Sequence, residues 1–452
     1  MALPASPSHL ALPEQRPTHT RYWVIVFACV LAVITYVDRA CISAAAPSMR
    51  RDLGLSQVQM GWAFSAFIFA YACCEIPGGL LGDILGPRKV LMRIVIWWSV
   101  FTAATGRTWS FPSLITTQAL FGVGEAGCFP NLTRAFRTWL PEREHVRAQG
   151  MMWLCARWGG AFTPPLVVWV MAMVGWRNAF AIFGCLGMIW AVAFYFWFRD
   201  DPRQHPKVNA AELDLIARRG PAQAGHGHVP WRRLLRSRQV WMLCWQYFCL
   251  SYGWYFYLTW LPSYLRDGRH LEFTHAAWLS VLPLFVGGMG NPGAVLLTGP
   301  LLRLTGSVAL TRRLIASVGF AGAAGFLMVS IRMTDPTLAM IAMGIASFCN
   351  DLVMPGAWAS AMDLGGKYCG TLSGAMNMWG NMGGALGPTV NGYILGGGLS
   401  FTLFGQKWAL AWHPGNWDMT FYVAAGVYLM GIVCWALLDP VTPLDLTESE
   451  AH

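Results

Sequence analysis

The stretch YWVIVFACVLAVITYVDRACISAAA, residues 22–46, decides the fold class of this chain. It is nearly all apolar, and it exceeds the roughly 20 residues that an α-helix needs to cross a hydrocarbon core about 30 Å thick. It is too long for the apolar region of a signal peptide, and no small-residue cleavage site precedes a soluble domain, so it is interpreted as a retained membrane helix. Apolar stretches of similar length recur as far as Leu438, which predicts a multi-pass membrane protein.

The composition supports the same conclusion. Of 452 residues, 55% are hydrophobic, 14% are aromatic and only 12% are charged, which is about half the charged share usual in soluble domains. A soluble fold of this length would lack polar side chains for its outer surface, which excludes a soluble enzyme. The 12 cysteines are scattered through the apolar stretches without the paired spacing of a zinc site or a disulfide framework, so they are expected to be packing residues.

The apolar stretches predict an all-α membrane protein with 12 transmembrane helices in two six-helix halves. The helices expected in the first half are 22–46, 58–82, 90–108, 112–135, 146–174 and 178–198. Those expected in the second half are 240–264, 276–302, 311–332, 336–361, 370–395 and 418–438. The resulting domains are a cytoplasmic N-terminal tail 1–21, an N-terminal bundle 22–198, a cytoplasmic linker 199–238, a C-terminal bundle 239–438 and a cytoplasmic C-terminal tail 439–452.

The net charge of +10 comes from Lys and Arg gathered in loops rather than along one amphipathic face, so nucleic-acid binding is not expected. The basic loops alternate along the chain; they include Arg88–Lys89, the segment from Arg134 to Arg147, and the linker. The positive-inside rule places these loops, together with both termini, in the cytoplasm. The expected location is therefore the inner (plasma) membrane.

Two helical halves joined by one cytoplasmic loop are typical of a transporter whose binding site lies at the membrane midplane and whose halves rock to give alternating access. The sequence has no GxxxxGK[ST] loop for ATP, so an ion gradient must supply the energy. It also has no metal-ligand cluster and no Ser/His/Asp set, so neither a cofactor nor an enzymatic activity is expected.

Ionisable residues inside a membrane helix each cost about 2.5–3.5 kcal/mol on insertion scales, so each one suggests a function. The predicted helices contain Asp38, Arg39, Glu75, Glu125, Arg157 and Asp351. Asp38 or Glu125 could exchange a proton in step with a moving Arg partner, as in a proton-coupled carrier. Alternatively, these residues form permanent ion pairs that hold helices together.

The two arginines are candidates for binding an anionic substrate, because a guanidinium grips a carboxylate in a two-pronged fork and stays charged. Arg39 is the first candidate; Arg157 is the second, unless it only pairs with Glu125. Glu75 lies next to Pro77 and near the cytoplasmic end of its helix, so a structural role is favoured over proton carriage.

Polar and aromatic side chains in the second half extend the candidate site. Asn377 and Asn381 are four residues apart on one helix face, where their amides could bind substrate hydroxyls or bond to another helix. Tyr252 and Tyr255 could line the pathway, although an aromatic-rich segment such as 247–262 is more often packing and interface belt.

The segment GLLGDILGPRK, residues 79–89, resembles the motif between helices 2 and 3 of the major facilitator superfamily. The resemblance implies that Asp83, Arg88 and Lys89 form a cytoplasmic gate network. Ile84 and Pro87 stand where the family often has Arg.

Within that superfamily the chain is similar to the anion:cation symporter family, which includes bacterial hexuronate, galactonate and glucarate carriers, sialin and vesicular glutamate transporters. The matching segments are YVDRACISAA, FSAFIFAYACCEIPGG, FGVGEAGCFPN, RDDPRQHPKVNAAE and GTLSGAMNMWGNMGGALGP. The resemblance implies that Asp38 and Glu125 are the proton-linked carboxylates. It also implies that Arg39, Tyr36, Tyr71 and Asn377 belong to the substrate cavity.

One position departs from the family pattern. Many members carry an Arg seven residues before the helix-4 Glu, where this chain has Gln118. The absence of that cation leaves Glu125 without its usual partner, and we hypothesise that Arg157 of helix 5 replaces it, so that both Gln118 and Arg157 belong to the substrate site.

The resulting prediction is a secondary transporter that imports a small organic anion, a sugar acid such as hexuronate, galactonate or glucarate, in symport with protons. The expected partners are the anion, protons and the lipid bilayer, and the chain is expected to act as a monomer. Alternatives are a proton-coupled exporter or antiporter of drugs or metabolites and a sodium-coupled anion symporter. Cationic drugs would favour a cavity richer in acids than in arginines, and Arg39 and Arg157 argue against that reading.

Overall fold

The computed structural model describes residues 16–55, 57–217, 231–261, 264–271, 273–395, 398–403, 406–411 and 415–444. The first helices are α1 Tyr22–Leu53, α2 Gln57–Leu85, α3 Pro87–Thr105, α4 Phe111–Glu125, α5 Cys128–Trp139, α6 Glu142–Trp197, α7 Ala210–Ala217 and α8 Trp231–Arg236. They are followed by α9 Arg238–Thr259, α10 Phe273–Gly288, α11 Gly290–Thr305, α12 Val308–Arg332, α13 Pro336–Gly365, α14 Cys369–Leu395 and α15 Trp417–Leu437. Residues 1–15, 218–230 and 445–452, which belong to the predicted tails and linker, lie outside the described residues.

The described helices form the predicted 12 membrane spans, which confirms the fold of two six-helix halves. Two spans are each made of two helices: α4 with α5, and α10 with α11. Conversely, α6 contains two spans joined at Gly175, whose φ of 76° and ψ of 161° break the helical path. The left-handed φ of 83° at Gly127 marks the corresponding break between α4 and α5.

The outer surface of the bundle is apolar. Leu304 is 83% exposed and Phe69 is 74% exposed, a degree of exposure that lipid tolerates far better than water does. Within the described residues, seven helical segments are long and apolar enough to cross a membrane on length and composition alone. The remaining spans are shortened by breaks or carry more polar residues.

Local sequence signals set several helix ends. Ser110 and Ser113 form a reciprocal capping box at the start of α4. Asp335 caps α13 by accepting from the backbone N–H groups of Thr337 at 2.7 Å and Leu338 at 3.0 Å, and Pro336 occupies the first helical position. These signals fix where the spans begin.

A β-hairpin between the last two helices was not predicted. Strands β1 Gly398–Leu403 and β2 Gln406–Ala411 pair antiparallel, with Gly398 opposite Ala411 and Leu403 opposite Gln406. The segment is too short to span a membrane, so a search for long apolar stretches passes over it. The alternation of apolar and polar residues in LSFTL was the available signal.

The two halves pack most closely where α2 meets α14. A Cβ atom added to Gly79 would lie 2.1 Å from the carbonyl oxygen of Gly370, so the two backbones are nearly in contact. Gly374 has the same relation to Glu75, because its added Cβ would lie 2.7 Å from the Glu75 carbonyl oxygen. Small residues allow this approach between membrane helices. We call this contact the α2–α14 seam.

Candidate functional site

A cavity of about 550 Å³ lies between the two halves. The first half contributes residues of α1, α2, α4, α5 and α6 to its lining, and the second half contributes residues of α9, α10, α13 and α14. Its polar lining residues are Tyr36, Arg39, Ser43, Tyr71, Gln118, Arg157, Tyr247, Ser251, Tyr255, Asn377 and Asn381. The rest of the lining is aromatic or aliphatic, as in many small-molecule sites.

The cavity extends from the middle of the bundle in one direction. Asp83 lies near the end of α2, and we call that end of the molecule the Asp83 end; the turn between α1 and α2 therefore lies at the opposite end. Along α1 the lining residues run from Tyr36 to Ser43, and along α2 they run from Tyr71 back to Phe64. Both runs lead toward that turn, so the cavity extends away from the Asp83 end.

Arg39 presents a guanidinium to the cavity. Its Nε donates to Oε1 of Glu125 at 2.5 Å, which ties α1 to α4. The guanidinium carbon lies 4.6 Å from the ring centre of Tyr71 and 5.4 Å from that of Phe67, within cation–π range. The side chain of Arg39 is 25% exposed, whereas that of Glu125 is 1% exposed. Arg39 is therefore held by Glu125 yet remains accessible from the cavity.

Asp38 lies on a different face of α1 from Arg39, as expected for neighbours about 100° apart. It is 3% exposed and does not line the cavity, and neither of its carboxylate oxygens has a hydrogen-bond partner among the described residues. Its charge lies close enough to Glu125 for the two carboxylates to interact electrostatically. The structure thus brings the three residues Asp38, Arg39 and Glu125 together at one depth.

Arg157 lines the cavity, but its partner is Asp351 rather than Glu125. Nε of Arg157 donates to Oδ2 of Asp351 at 3.0 Å, and Nη2 donates to Oδ1 at 3.1 Å. Asn291 and Asn350 also donate to this carboxylate, at 3.4 and 3.2 Å. The hypothesis that Arg157 supplies the missing cation of Glu125 is therefore wrong, since Arg39 fills that place and Arg157 bridges α6 to α13 of the other half.

Glu75 is placed in a polar cluster that the sequence reading did not assign to the site. Its carboxylate accepts from Nδ2 of Asn377 and, at 3.1 Å, from Nδ2 of Asn381. Asn377 Nδ2 also donates to the Tyr71 hydroxyl at 3.4 Å, and the Tyr255 hydroxyl donates to Asn381 Oδ1 at 3.3 Å. The sequence signal for this cluster was the pair Asn377 and Asn381, four residues apart. Two amides on one buried helix face need a polar group on the facing helix, and Glu75 is that group.

Gln118 and Tyr252 have different positions. Gln118 lines the cavity and its Nε2 donates to Thr105 Oγ1 at 3.1 Å, so its amide nitrogen is already bound within the first half. Tyr252 is 4% exposed and is not a lining residue, while Tyr255 and Tyr247 of the same helix are. The prediction that Tyr252 lines the pathway is not met, because that side of α9 faces its neighbouring helices.

Asp83 joins the two halves at its end of the bundle. Its Oδ1 accepts from Arg134 Nη1 at 2.5 Å and from the Gly370 backbone N–H at 3.0 Å. Its Oδ2 accepts from the backbone N–H and the hydroxyl of Thr371 at 2.6 and 2.7 Å. Arg134 in turn donates to the carbonyl oxygen of Lys367 at 2.7 Å. These contacts hold α2 and α5 against the start of α14.

Arg88 and Lys89 do not take part in that cluster as the resemblance implied. The Arg88 backbone N–H donates to Oδ1 of Asp200 at 2.9 Å, and its Nε donates to the carbonyl oxygen of Tyr195 at 2.9 Å. Lys89 is close enough to act on the charge of Asp200. Both basic residues therefore lie at the end of α6 in their own half, and Arg134 supplies the cation beside Asp83.

Further contacts between the halves lie at the same end. Nδ1 of His145 lies 3.2 Å from Oδ1 of Asp363 across the halves, and within the second half Nη1 of Arg312 lies 2.7 Å from Oδ2 of the same residue. Arg137 Nε donates to the carbonyl oxygen of Met362 at 2.9 Å. Together with the Asp83 cluster, these bonds close the Asp83 end of the bundle below the cavity.

Comparison with known proteins gives consistent results. The chain is 34% identical to a probable sulfoacetate transporter of Cupriavidus necator over 434 residues, which covers 96% of this chain and 97% of that protein. It is 30% identical to a probable galactarate/D-glucarate transporter of Escherichia coli K12, covering 88% of this chain and 92% of that protein. The crystal structure of the transporter FucP in the outward conformation is similar in fold, with a TM-score of 0.71 at 12% identity, covering 93% of this chain and 99% of that one.

The family model of the Major Facilitator Superfamily matches residues 28–388, which is most of the chain and extends from α1 into α14. This match agrees with the helix order and with the full-length relatives. The chain therefore belongs to the Major Facilitator Superfamily and is a multi-pass membrane transporter rather than an enzyme.

Proposed function

We propose that this protein imports a small organic anion in symport with protons, by alternating access across the inner (plasma) membrane. The observation that carries the proposal is Arg39, a guanidinium at mid-depth that is bonded to Glu125 but still 25% exposed in the central cavity. Among the described lining residues, Arg39 is the one cation left accessible, because Arg157 is bonded to Asp351, and an accessible cation favours an anion over a cationic drug.

The proposed substrate is a sugar acid such as hexuronate, galactonate or glucarate. Its carboxylate binds Arg39, which is suited to carboxylates by its planar fork. Hydroxyl and amide groups of Tyr36, Gln118 and Ser251 also line the cavity and offer partners to substrate hydroxyls. The names of two relatives, a probable sulfoacetate transporter and a probable galactarate/D-glucarate transporter, support an anionic substrate.

Proton coupling follows from competition for Arg39. While Glu125 is ionised, it holds the guanidinium through Nε. When Glu125 takes up a proton, the attraction weakens and the guanidinium becomes free for the substrate carboxylate, so that anion and proton load together. Asp38 lies beside Glu125, supplies that proton, and takes one up again when Glu125 ionises. In this scheme the anion alone cannot displace Glu125 efficiently.

The proposed orientation places the Asp83 end in the cytoplasm. The basic residues Arg88, Arg134 and Arg312 all lie at that end, and the positive-inside rule assigns such residues to the cytoplasmic face. The cavity then extends toward the outside of the cell, which is the loading position for an importer.

The test is uptake by purified protein in proteoliposomes. D-glucarate, D-galactonate, D-glucuronate and sulfoacetate are offered under an imposed pH gradient and, separately, under a sodium gradient. Accumulation driven by the pH gradient, lost in Arg39→Gln and reduced to exchange without accumulation in Asp38→Asn and Glu125→Gln, supports the proposal. Accumulation driven only by sodium contradicts proton coupling, and accumulation that Arg39→Gln leaves intact contradicts the anion site.

A further inference from the structure

Glu75 of α2 is a fully enclosed acid near the cavity, with 0% exposure. It faces the other half of the molecule across the α2–α14 seam. Gly374 lies so close to the Glu75 backbone that there is no room for even a Cβ atom between the helices. In this conformation Glu75 is therefore shielded from water by the contact between the halves.

The groups around Glu75 are polar but almost all uncharged. Asn377 and Asn381 of α14 donate to its carboxylate, Tyr71 lies one turn away on α2, and Tyr247 and Tyr255 face it from α9. Arg39 of α1 is the one cation within electrostatic reach among the described residues, and it is bonded to Glu125 instead. Glu75 has no salt bridge within that part of the chain.

Counting charges at this depth shows the same imbalance. The carboxylates are Asp38, Glu75, Glu125 and Asp351, and the guanidiniums are Arg39 and Arg157. Two ion pairs, Arg39–Glu125 and Arg157–Asp351, use both cations. In the part of the chain that the structure describes, Asp38 and Glu75 have no cation partner. A carboxylate buried without a cation takes up a proton rather than remain charged, because an isolated buried charge costs many kcal/mol.

We propose that Glu75 is a proton-loading site at the α2–α14 seam, separate from Asp38 and Glu125, and that its proton is carried across the membrane with the substrate. The inference rests on the proposed proton symport. In the conformation described here Glu75 holds the proton and donates it to an amide oxygen of Asn377 or Asn381, after rotation of that amide. When the halves rock, the seam parts, water reaches Glu75, its O–H bond breaks and the proton passes to water.

This role differs from that of Asp38 and Glu125. Glu125 is bonded to Arg39 within the first half and Asp38 lies beside Glu125, whereas Glu75 and its amide partners lie on opposite halves. The ionisation of Glu75 is therefore coupled directly to the separation of the halves. When Glu75 is protonated, closing the α2–α14 seam does not bury a negative charge that lacks a cation.

The test begins without any substrate. Infrared difference spectra of purified protein in liposomes, recorded across a pH titration, report the C=O signal of protonated carboxyl groups. Glu75→Gln is expected to remove one component of that signal, and Asp38→Asn, the matched control, a different one. Glu75→Asp is expected to keep a component, because it retains a carboxyl group. A spectrum that Glu75→Gln leaves unchanged overturns the proposal.

The second measurement counts protons per anion, from the membrane potential at which net uptake of D-glucarate reverses. Glu75→Gln is expected to transport with one proton fewer than the wild-type protein, while Glu75→Asp keeps the wild-type count. An equal count in Glu75→Gln and wild type overturns the proposal even if the infrared component is lost. If wild-type protein drives no proton-linked uptake of any offered anion, the proposed function fails instead, and the infrared result stands by itself as evidence for or against the site.

Discussion

Two arginine–carboxylate pairs near the cavity use the same chemistry in opposite ways. Among the described residues, Arg39 bonds Glu125 of its own half through Nε, and its Nη2 atom has no hydrogen-bond partner. Arg157 uses both Nε and Nη2 to grip Asp351 of the other half, and its side chain is 6% exposed under the ring of Trp254. The first guanidinium has bonding capacity left for a ligand, whereas the second is already satisfied.

The difference separates a binding group from a structural one. A pair within one half can exchange its partner while the halves stay in place, which suits a substrate site. A pair that spans the halves and receives two additional amides holds them in a fixed relation at that depth. We therefore propose that Arg39 binds the anion, while Arg157 connects the halves through Asp351.

The largest effect is expected when one partner of the Arg157–Asp351 pair is replaced and the other is kept. Asp351→Asn should lower the free energy of unfolding by about 3–5 kcal/mol, because it leaves the buried Arg157 charge without a counter-charge. The double variant Arg157→Met/Asp351→Leu should recover most of that loss, since apolar groups can replace a buried pair. Denaturant unfolding of the protein in detergent measures both.

The control for this prediction is Glu125→Gln, which removes the carboxylate of the more accessible pair. Its cost should be smaller, because the Arg39 side chain is 25% exposed and water can solvate the charge that is left. Equal losses for Asp351→Asn and Glu125→Gln would show that the two pairs are not different in the way described.

A somewhat smaller effect is expected on binding. Arg39→Gln should weaken substrate affinity by about 100-fold, since hydrogen bonds to a charged group contribute about 1.5–3 kcal/mol and each 1.4 kcal/mol is tenfold. Arg39→Lys should recover only part of this, because an ammonium cannot reproduce the planar fork. Equilibrium binding of the transported anion to purified protein is the measurement, and Arg39→Gln with wild-type affinity would remove the anion site.

The contacts at the Asp83 end offer a comparison with the Arg157–Asp351 pair, because both connect the halves but at different depths. Asp83→Asn should increase opening of that end by about tenfold. The amide nitrogen cannot accept from the Gly370 and Thr371 backbone N–H groups, so the closed state loses about 1–2 kcal/mol of stability. Labelling of the buried Cys369 by a maleimide, followed by mass spectrometry, reports the opening.

The matched variant for this end is Arg88→Gln. It should leave Cys369 labelling within twofold of wild type, because Arg88 bonds Asp200 and Tyr195 of its own half. Faster labelling in Arg88→Gln than in Asp83→Asn would restore the gate network that the sequence resemblance implied.

The fold was predictable from sequence because the length and hydrophobicity of a segment are enough to predict a membrane span. The break at Gly175 fell between predicted helices 146–174 and 178–198, where the apolar pattern is interrupted. The hairpin at 398–411 was missed because its strands are short and its signal is alternation rather than length. Features that depend on the local chain were thus readable, within a few residues.

Which side chains of the site contact each other could not be predicted from the sequence in the same way. Arg157 and Asp351 are 194 residues apart, and Glu75 and Asn381 are 306 residues apart. One sequence states which polar groups lie inside the membrane but not which of them face each other, since helix rotation and tilt are set by packing. Hence the sequence indicated that Arg39 lies inside the membrane, and the structure shows that it lines the cavity, while the partner of Arg157 and the position of Glu75 became clear only from the assembled halves.

The smallest effects should distinguish two tyrosines of α9. Tyr255 lines the cavity and donates to Asn381, so Tyr255→Phe should raise the substrate concentration for half-maximal uptake by about 2–10-fold, the value of one hydrogen bond of about 0.5–1.5 kcal/mol. Tyr252→Phe should stay within twofold, because the Tyr252 hydroxyl is buried without a partner among the described residues. Uptake kinetics of the two variants at equal amounts of protein measure the difference. A larger change in Tyr252→Phe than in Tyr255→Phe would mean that α9 turns its Tyr252 face toward the substrate during transport.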